Sequence, residues 1–356
     1  MKRFLILEDG TVFSGYAFGA PGEVIAEIVF NTSMTGCIEM LTDQCYYGQG
    51  IVQTFPLAGN YGIISEDAEA DKTGASAFIV REYCESPSNF RCEEEIDTYL
   101  KRNNIVGLYG IDTRALTRIL RSRGTMNGMI ADHPSNADLE AIRKYKAVDA
   151  VKNVSTKEVV NYKSEEGKYK VALLDYGVRN NVISSLVERG CDVVRLPYDT
   201  TAEDVLSYDV DGIFLSNGPG DPNDVCEAVE TIKNLMTKDI PIMGICLGHQ
   251  LLALANGFKT EKMKFGHRGS NHPAYCAKTD KTYITQQNHS HTVILDSVDP
   301  DVAEEYFVNL NDGTNEGLIY KNIPAFSVQF MPNSCGGPAE DNELFNRFIA
   351  EMDAHK

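Results

Sequence analysis

The chain has 356 residues, 43% of them hydrophobic and 24% charged, and a formal net charge of −18. This length exceeds one ordinary core and predicts two domains, and the charge argues against nucleic acid or anionic membrane as partners while leaving a basic protein surface open. No apolar run approaches the roughly 20 residues a membrane span needs, and the N-terminal MKRFLILEDG holds too short an apolar stretch for a signal peptide, so a cytoplasmic chain is expected.

Residues 1–150 mix strands and helices. Phe4–Asp9, Val24–Asn31, Gly50–Phe55 and Ala75–Val80 run or alternate apolar and read as strands. Asp112 precedes TRALTRILRSRG, in which Ala115, Leu116, Ile119 and Leu120 recur at helical spacing; Asp112 is the expected N-cap and Gly124 the stop. Ser135-x-x-Asp138 is read as the opening of another helix, with Leu139 and Ile142 on its apolar face. The polar stretch within residues 151–168 has weak periodicity and reads as a linker.

From Tyr169 onward strand and helix alternate. KVALLDYG is an apolar strand of the kind buried on both faces. A helix over Asn181–Arg189 ends at Gly190. Then follow strand CDVVRLP, helix Thr201–Leu206, GIFLSNGPGDP as strand and loop, helix Val225–Met236, and IPIMGICLGHQLLALANG as strand, turn and helix. The fold class expected is α/β: a mixed N-terminal domain over 1–150, then a mostly parallel, doubly wound domain over 169–356. Ligands in such sheets bind beyond the carboxyl ends of the strands, where SNGPGDP and GICLGHQ both fall.

The cysteine count is nine, which is odd, and no C-x-x-C pair occurs, so neither a disulfide framework nor a zinc knuckle is expected. One thiol has a special context. Gly244-Ile245-Cys246-Leu247-Gly248 has the G-x-nucleophile-x-G form, fed by a strand and followed by a helix. A tight turn of that kind needs residues without side chains at the flanking positions. It places Cys246 at a helix N-terminus, which favours thiolate, with the Leu247 N–H available to an oxyanion. His267, His272, His289 and His291 lie close in sequence, but only His289-x-His291 has a recurrent ligand spacing and no carboxylate or thiol pair completes a set, so no metal is expected. No GxxxxGK[ST] segment occurs, so no ATP site is expected either.

GICLGHQ, SNGPGDP, QNHSH and FSVQF together resemble a class I glutamine amidotransferase. VFNTSMTG, EMLTD and GIDTRALTRILRSRGTMNG resemble the N-terminal domain of the small subunit of carbamoyl phosphate synthetase, and the resemblance spans nearly the whole chain. It implies a subunit that hydrolyses glutamine and passes ammonia to a large subunit. That partner makes carbamoyl phosphate from bicarbonate, ammonia and ATP for arginine and pyrimidine synthesis, so the cofactors ATP and Mg²⁺ are expected there and none in this chain. Cys246 matches the family nucleophile; Gly218, Gly220, Leu247, Gln250 and Asn288 match glutamine contacts.

The departures from the family cluster on the reaction. The closing V-Q-x-H-P-E motif reads Val328-Gln329-Phe330-Met331-Pro332-Asn333, so Met331 and Asn333 stand at the triad His and Glu positions. A thioether takes no proton at neutral pH, and an amide does not support an imidazolium. Ser290 and His291 replace a Gly and an aromatic in the glutamine pocket, and Cys45 replaces a glutamine-contacting Ser. The expectation is a small subunit with lost or strongly impaired glutaminase activity. Two alternatives stand beside it: an active glutaminase with a displaced base such as His291, and a pseudoenzyme pocket rebuilt for another ligand.

Overall fold

The computed structural model describes residues 1–332 and 343–356. They divide into two compact units, Met1–Ala150 and Val151–Lys356.

The first unit carries β1 (Lys2–Leu7), β2 (Val12–Gly19), β3 (Val24–Asn31), α1 (Cys37–Thr42), β4 (Gln49–Gln53), β5 (Leu57–Ala58), β6 (Ala77–Val80), β7 (Glu82–Tyr83), α2 (Ile96–Arg102), β8 (Val106–Tyr109), α3 (Thr113–Arg123), β9 (Met126–Ala131) and α4 (Leu139–Lys144). β1, β2, β8, β6, β4, β3 and β9 close into a barrel in that order. Closure requires β9 to pair with both β1 and β3, which it does antiparallel through Met126–Ala131. Val29, Ile51, Phe78 and Val80 fill part of the core with Leu41 and Leu100 from the helices. Arg3 is buried at 2% exposure; its guanidinium donates to the carbonyl oxygens of Ala20 and Gly107 and pairs with Asp132 at 3.1 Å. An arginine taken out of water persists only with its donors matched in this way.

Helix α3 begins and ends where its residues predict. The Asp112 carboxylate accepts from the Ala115 N–H at 2.9 Å, and Gly124 closes the helix at φ +108°. Helix α4 corrects the reading at Ser135. Pro134–Asn136 forms a separate short turn, and Asp138 is the cap, accepting from the Glu140 and Ala141 N–H groups. A carboxylate one step before the apolar face wins over the earlier hydroxyl because it reaches two free amide donors at once.

The second unit carries α5 (Ala150–Val154), β10 (Val160–Tyr162), β11 (Tyr169–Asp175), α6 (Asn180–Val187), β12 (Cys191–Pro197), α7 (Ala202–Leu206), β13 (Gly212–Leu215), α8 (Cys226–Leu235), β14 (Ile242–Ile245), α9 (Leu247–Ala255), β15 (Thr260–Cys276), β16 (Lys281–Val293), β17 (Ala303–Asn309), β18 (Asn315–Tyr320), β19 (Ala325–Val328) and α10 (Glu343–Ala354). Its ten-stranded sheet runs β10-β12-β11-β13-β14-β19-β18-β17-β15-β16. The central pairings β12-β11-β13-β14-β19 are parallel. Antiparallel strands extend this parallel core on both sides.

The stretch read as a linker contributes structure. Val160–Tyr162 pairs with Val193–Arg195 as an edge strand, because a half-exposed edge needs little apolar periodicity to form. Both faces of the central sheet are covered. Phe214 stacks on Phe345 of α10 at 5.9 Å, while its neighbours Ile213 and Leu215 pack with Ile232 and Leu251 of α8 and α9. The order of connection reverses between β11 and β13, which opens a crevice at the carboxyl ends of these strands. Among the described residues no helix is long and apolar enough to cross a membrane.

Candidate active site

β14 delivers the chain to Cys246 at the carboxyl edge of the parallel core, and α9 leads it away. Cys246 sits at φ +51°, ψ −107°, a conformation rare for a residue with a Cβ and worth about 1–3 kcal/mol of strain. The surroundings hold it there. Its N–H donates to the Val328 carbonyl oxygen at 2.9 Å, its own carbonyl oxygen accepts from the Gln250 N–H at 3.2 Å, and the Gly248 N–H donates to the Ser216 carbonyl oxygen at 3.0 Å. A Cβ on Gly248 would lie 2.2 Å from the Leu215 carbonyl oxygen, and one on Gly244 would lie 2.9 Å from the Gly248 backbone. The two glycines are therefore demanded by backbone approach, as the motif implied.

The SNGPGDP loop is latched beside this elbow. The Ser216 hydroxyl accepts from the Tyr176 N–H at 2.9 Å, and the Asn217 amide donates to the Gly177 carbonyl oxygen at 2.8 Å. A Cβ on Gly218 would meet the Tyr176 carbonyl oxygen at 2.2 Å and a Leu247 methyl at 2.8 Å, so Gly218 and the buried Leu247 pack directly together. Gly220 follows in a left-handed conformation at φ +94°. The Gln250 amide donates to the His291 carbonyl oxygen at 2.8 Å and to Gln329 Oε1 at 2.9 Å, tying the first turn of α9 to β16 and to the end of β19. Gln329 escaped the sequence reading, and its place two residues before Met331 was the available signal.

The Cys246 thiol is 2% exposed and donates to the Asn288 carbonyl oxygen at 3.7 Å. Among the described residues no imidazole or carboxylate is hydrogen-bonded to it. Met331 is buried at 1% exposure, and its N–H donates to the Gln286 carbonyl oxygen at 2.9 Å. Asn333, which the family resemblance pairs with Met331 as an altered triad position, lies outside the described residues. His291 turns Nε2 toward Asp221 Oδ2 at 3.5 Å. The Ser290 hydroxyl accepts from Arg268, itself buried. Cys45 belongs to the first unit, where its N–H donates to Asp43 at 3.0 Å on a short turn before β4.

Four other histidines of the second unit lie on α9, β15 and β16. Burial pushes His249 down to about 3, and its Nδ1 pairs with the Ser327 hydroxyl at 2.8 Å. Burial likewise holds His289 well below the usual imidazole range, and its Nδ1–H donates to the His291 carbonyl oxygen at 2.8 Å. Burial also opposes charge on His267, but Asp312 at 2.9 Å and Glu316 at 3.4 Å outweigh it and raise the group to about 9. His272, buried beside that charge, is lowered to about 4. Spacing alone gave no carboxylate to accompany these rings; the fold brings in Glu316 from β18, a contact between distant parts of the chain.

Comparison with known proteins follows the same division. Residues 5–130 match the family model described as carbamoyl-phosphate synthase small chain, CPSase domain, and residues 172–351 match glutamine amidotransferase class-I. The carbamoyl phosphate synthase small chain of Clostridium perfringens is 51% identical over 351 residues, covering 98% of this chain and 99% of the relative. The carbamoyl phosphate synthase pyrimidine-specific small chain of Halalkalibacterium halodurans is 49% identical over 362 residues, covering 100% and 98%. Among solved structures, a glutamine amidotransferase from Thermotoga maritima aligns over 52% of this chain and 84% of its own at 17% identity, with a TM-score of 0.39.

Proposed function

The chain belongs to the family of carbamoyl phosphate synthase small chains, and we propose that it is a small subunit whose glutaminase activity is lost or strongly impaired. The one observation that carries this reading is the Cys246 thiol, placed on an intact elbow and, among the described residues, hydrogen-bonded only to a backbone carbonyl.

Amide hydrolysis at this site needs the thiol proton to leave, a tetrahedral oxyanion to be held, and a proton to reach the departing ammonia. The elbow supplies the nucleophile and the free N–H of Leu247, which opens α9 and lacks an intrahelical partner. The Asn288 carbonyl oxygen accepts a hydrogen bond but does not take a proton at neutral pH, and neither does the Met331 thioether. Losing triad members costs on the order of 10^4–10^6 in rate, equivalent to about 5–8 kcal/mol of barrier.

On this reading the partner is the large subunit. ATP and Mg²⁺ act there, and free ammonia enters in place of glutamine nitrogen. The compartment is the cytoplasm, and the carbamoyl phosphate serves arginine or pyrimidine synthesis. The test is a paired assay on the complex of this chain with its large subunit. Carbamoyl phosphate is expected from ammonium but not from glutamine, with glutamate release no faster than in Cys246→Ser. Efficient glutamine-dependent synthesis that Cys246→Ser abolishes would overturn the proposal.

A second reading keeps the glutaminase active with His291 as displaced base, and it rests on the approach of Asp221 to that ring. It requires His291→Ala to remove glutamate release. A third, a pocket rebuilt for another ligand, rests on the contact of Ser290 with Arg268; stabilisation by a different amide or amino acid in a thermal-shift screen would support it.

A further inference from the structure

We infer that His267, His289 and Glu316 form a binding site for one divalent transition-metal ion of zinc-like preference, with one ligand on the strand that carries Asn288. The inference stands independently of whether glutamine is hydrolysed.

The three residues come from β15, β16 and β18. His267 and His289 are direct partners in the β15–β16 ladder, so their side chains share a face. One ligand atom from each lies within 4.8 Å of the others, and His267 Nδ1 is 3.4 Å from Glu316 Oε1. Ligands about 2.0–2.1 Å from a tetrahedral ion stand roughly 3.3–3.4 Å apart, so modest inward movement completes the set. All three are nearly water-free, at 4%, 5% and 0% exposure.

The outer atoms are arranged as in a ligated site. A metal-bound imidazole turns its second nitrogen to a carboxylate or a backbone carbonyl. His267 Nε2 meets Asp312 Oδ2 at 2.9 Å, and His289 Nδ1–H donates to the His291 carbonyl oxygen at 2.8 Å. Glu316 Oε1 accepts from the Asn309 amide at 2.7 Å, while Glu316 Oε2 is buried with no hydrogen-bond partner.

Proton accounting without an ion fails at one point. The His291 carbonyl oxygen only accepts, so the neutral His289 ring carries its proton on Nδ1 and leaves Nε2 bare. That lone pair faces Gln287 Oε1 at 3.1 Å, which also lies 2.8 Å from His267 Nδ1. Turning the Gln287 amide gives His289 a donor but sets Oε1 against the Thr285 hydroxyl oxygen, now 3.1 Å from Gln287 Nε2. That hydroxyl already donates to the His272 carbonyl oxygen at 2.9 Å. With the Thr285 hydroxyl held on the His272 carbonyl oxygen, either orientation leaves two acceptors in contact inside a dry site, which is costly. A dication that displaces the extra proton of His267 takes both imidazole lone pairs and the carboxylate together. Two imidazoles with one carboxylate suit Zn²⁺ or Co²⁺, in contrast to the all-oxygen sets that hold Mg²⁺ or Ca²⁺. So placed, the ion clamps β16 at the residue next to Asn288, whose carbonyl oxygen receives the Cys246 thiol.

The test uses the full chain, equilibrated with Zn²⁺, desalted and assayed for metal, with Co²⁺ substitution as the spectroscopic probe. About one equivalent per chain is expected, and Co²⁺ is expected to give visible d–d bands without thiolate-to-cobalt charge transfer, since no sulfur is in the set. Asp312→Asn, at a half-exposed position, should weaken Co²⁺ binding about 10–100-fold, and Glu316→Gln should abolish the bands. Metal below about a tenth of an equivalent in the unaltered chain would overturn the site, leaving a proton-bound network only. Thiolate charge-transfer bands, or bands unchanged in both variants, would overturn it equally by placing the ion elsewhere.

Discussion

The two sides of the Cys246 site are built from different materials. On the elbow side, Gly244, Gly248 and Gly218 are fixed because backbone atoms would collide with any Cβ. On the opposite side, at the ends of β16 and β19, side chains line the site, and Met331, Ser290 and His291 stand there where the family resemblance implies other residues. Backbone geometry cannot be exchanged one residue at a time, whereas a buried imidazole can be replaced by a thioether of similar bulk. A site can therefore lose its proton chemistry while keeping its shape.

The sharpest way to break that contrast is to install the groups that the family resemblance implies. Met331→His with Asn333→Glu should raise glutamate release about 10^3–10^5-fold, since the nucleophile and oxyanion donor are already positioned. A folded double variant with no gain would show that the elbow side is altered as well. Next in size, Gly248→Ala should cost about 3 kcal/mol or more in urea unfolding, because the new methyl meets a carbonyl oxygen at 2.2 Å. A cost under about 1 kcal/mol would mean the elbow is more yielding than its packing implies. Met331→Leu should cost less than about 1.5 kcal/mol and leave glutamate release unchanged, as a swap between core side chains of similar volume. A large loss of activity on that swap would give the thioether a role in turnover. Far from the site, Asp112→Ala should remove about 1 kcal/mol through loss of the α3 cap, read as a small fall in melting temperature.

What the residues disclosed in advance follows the same line. Local signals were legible: the Gly-Cys-Gly elbow, the Asp112 cap, and the apolar strands β11 to β14, each specified by neighbours in sequence. The long strands β15 and β16 were not. TEKMKFGHRGSNHPAYC is largely polar, and the ladder slips register between Lys262 and His267 and again between Gly269 and His272, so no two-residue alternation survives. β10 was hidden because three residues, none of them buried, carry no pattern. In the candidate site, the motif placed Cys246 on the elbow where the structure has it, and Met331 and Asn333 were singled out by family resemblance alone. The gathering of His267, His289 and Glu316 depends on pairing between strands far apart in the chain, which spacing does not encode.

The closed barrel of the first unit has a consequence for how copies of this chain can meet other proteins. Every strand in that ring already has a neighbour on each flank, so it offers no row of unsatisfied amides for a visiting strand to zip onto. Recognition through that ring must be read from side chains on its loops and helices. Specificity there is open to change by single substitutions, without disturbing a backbone ladder.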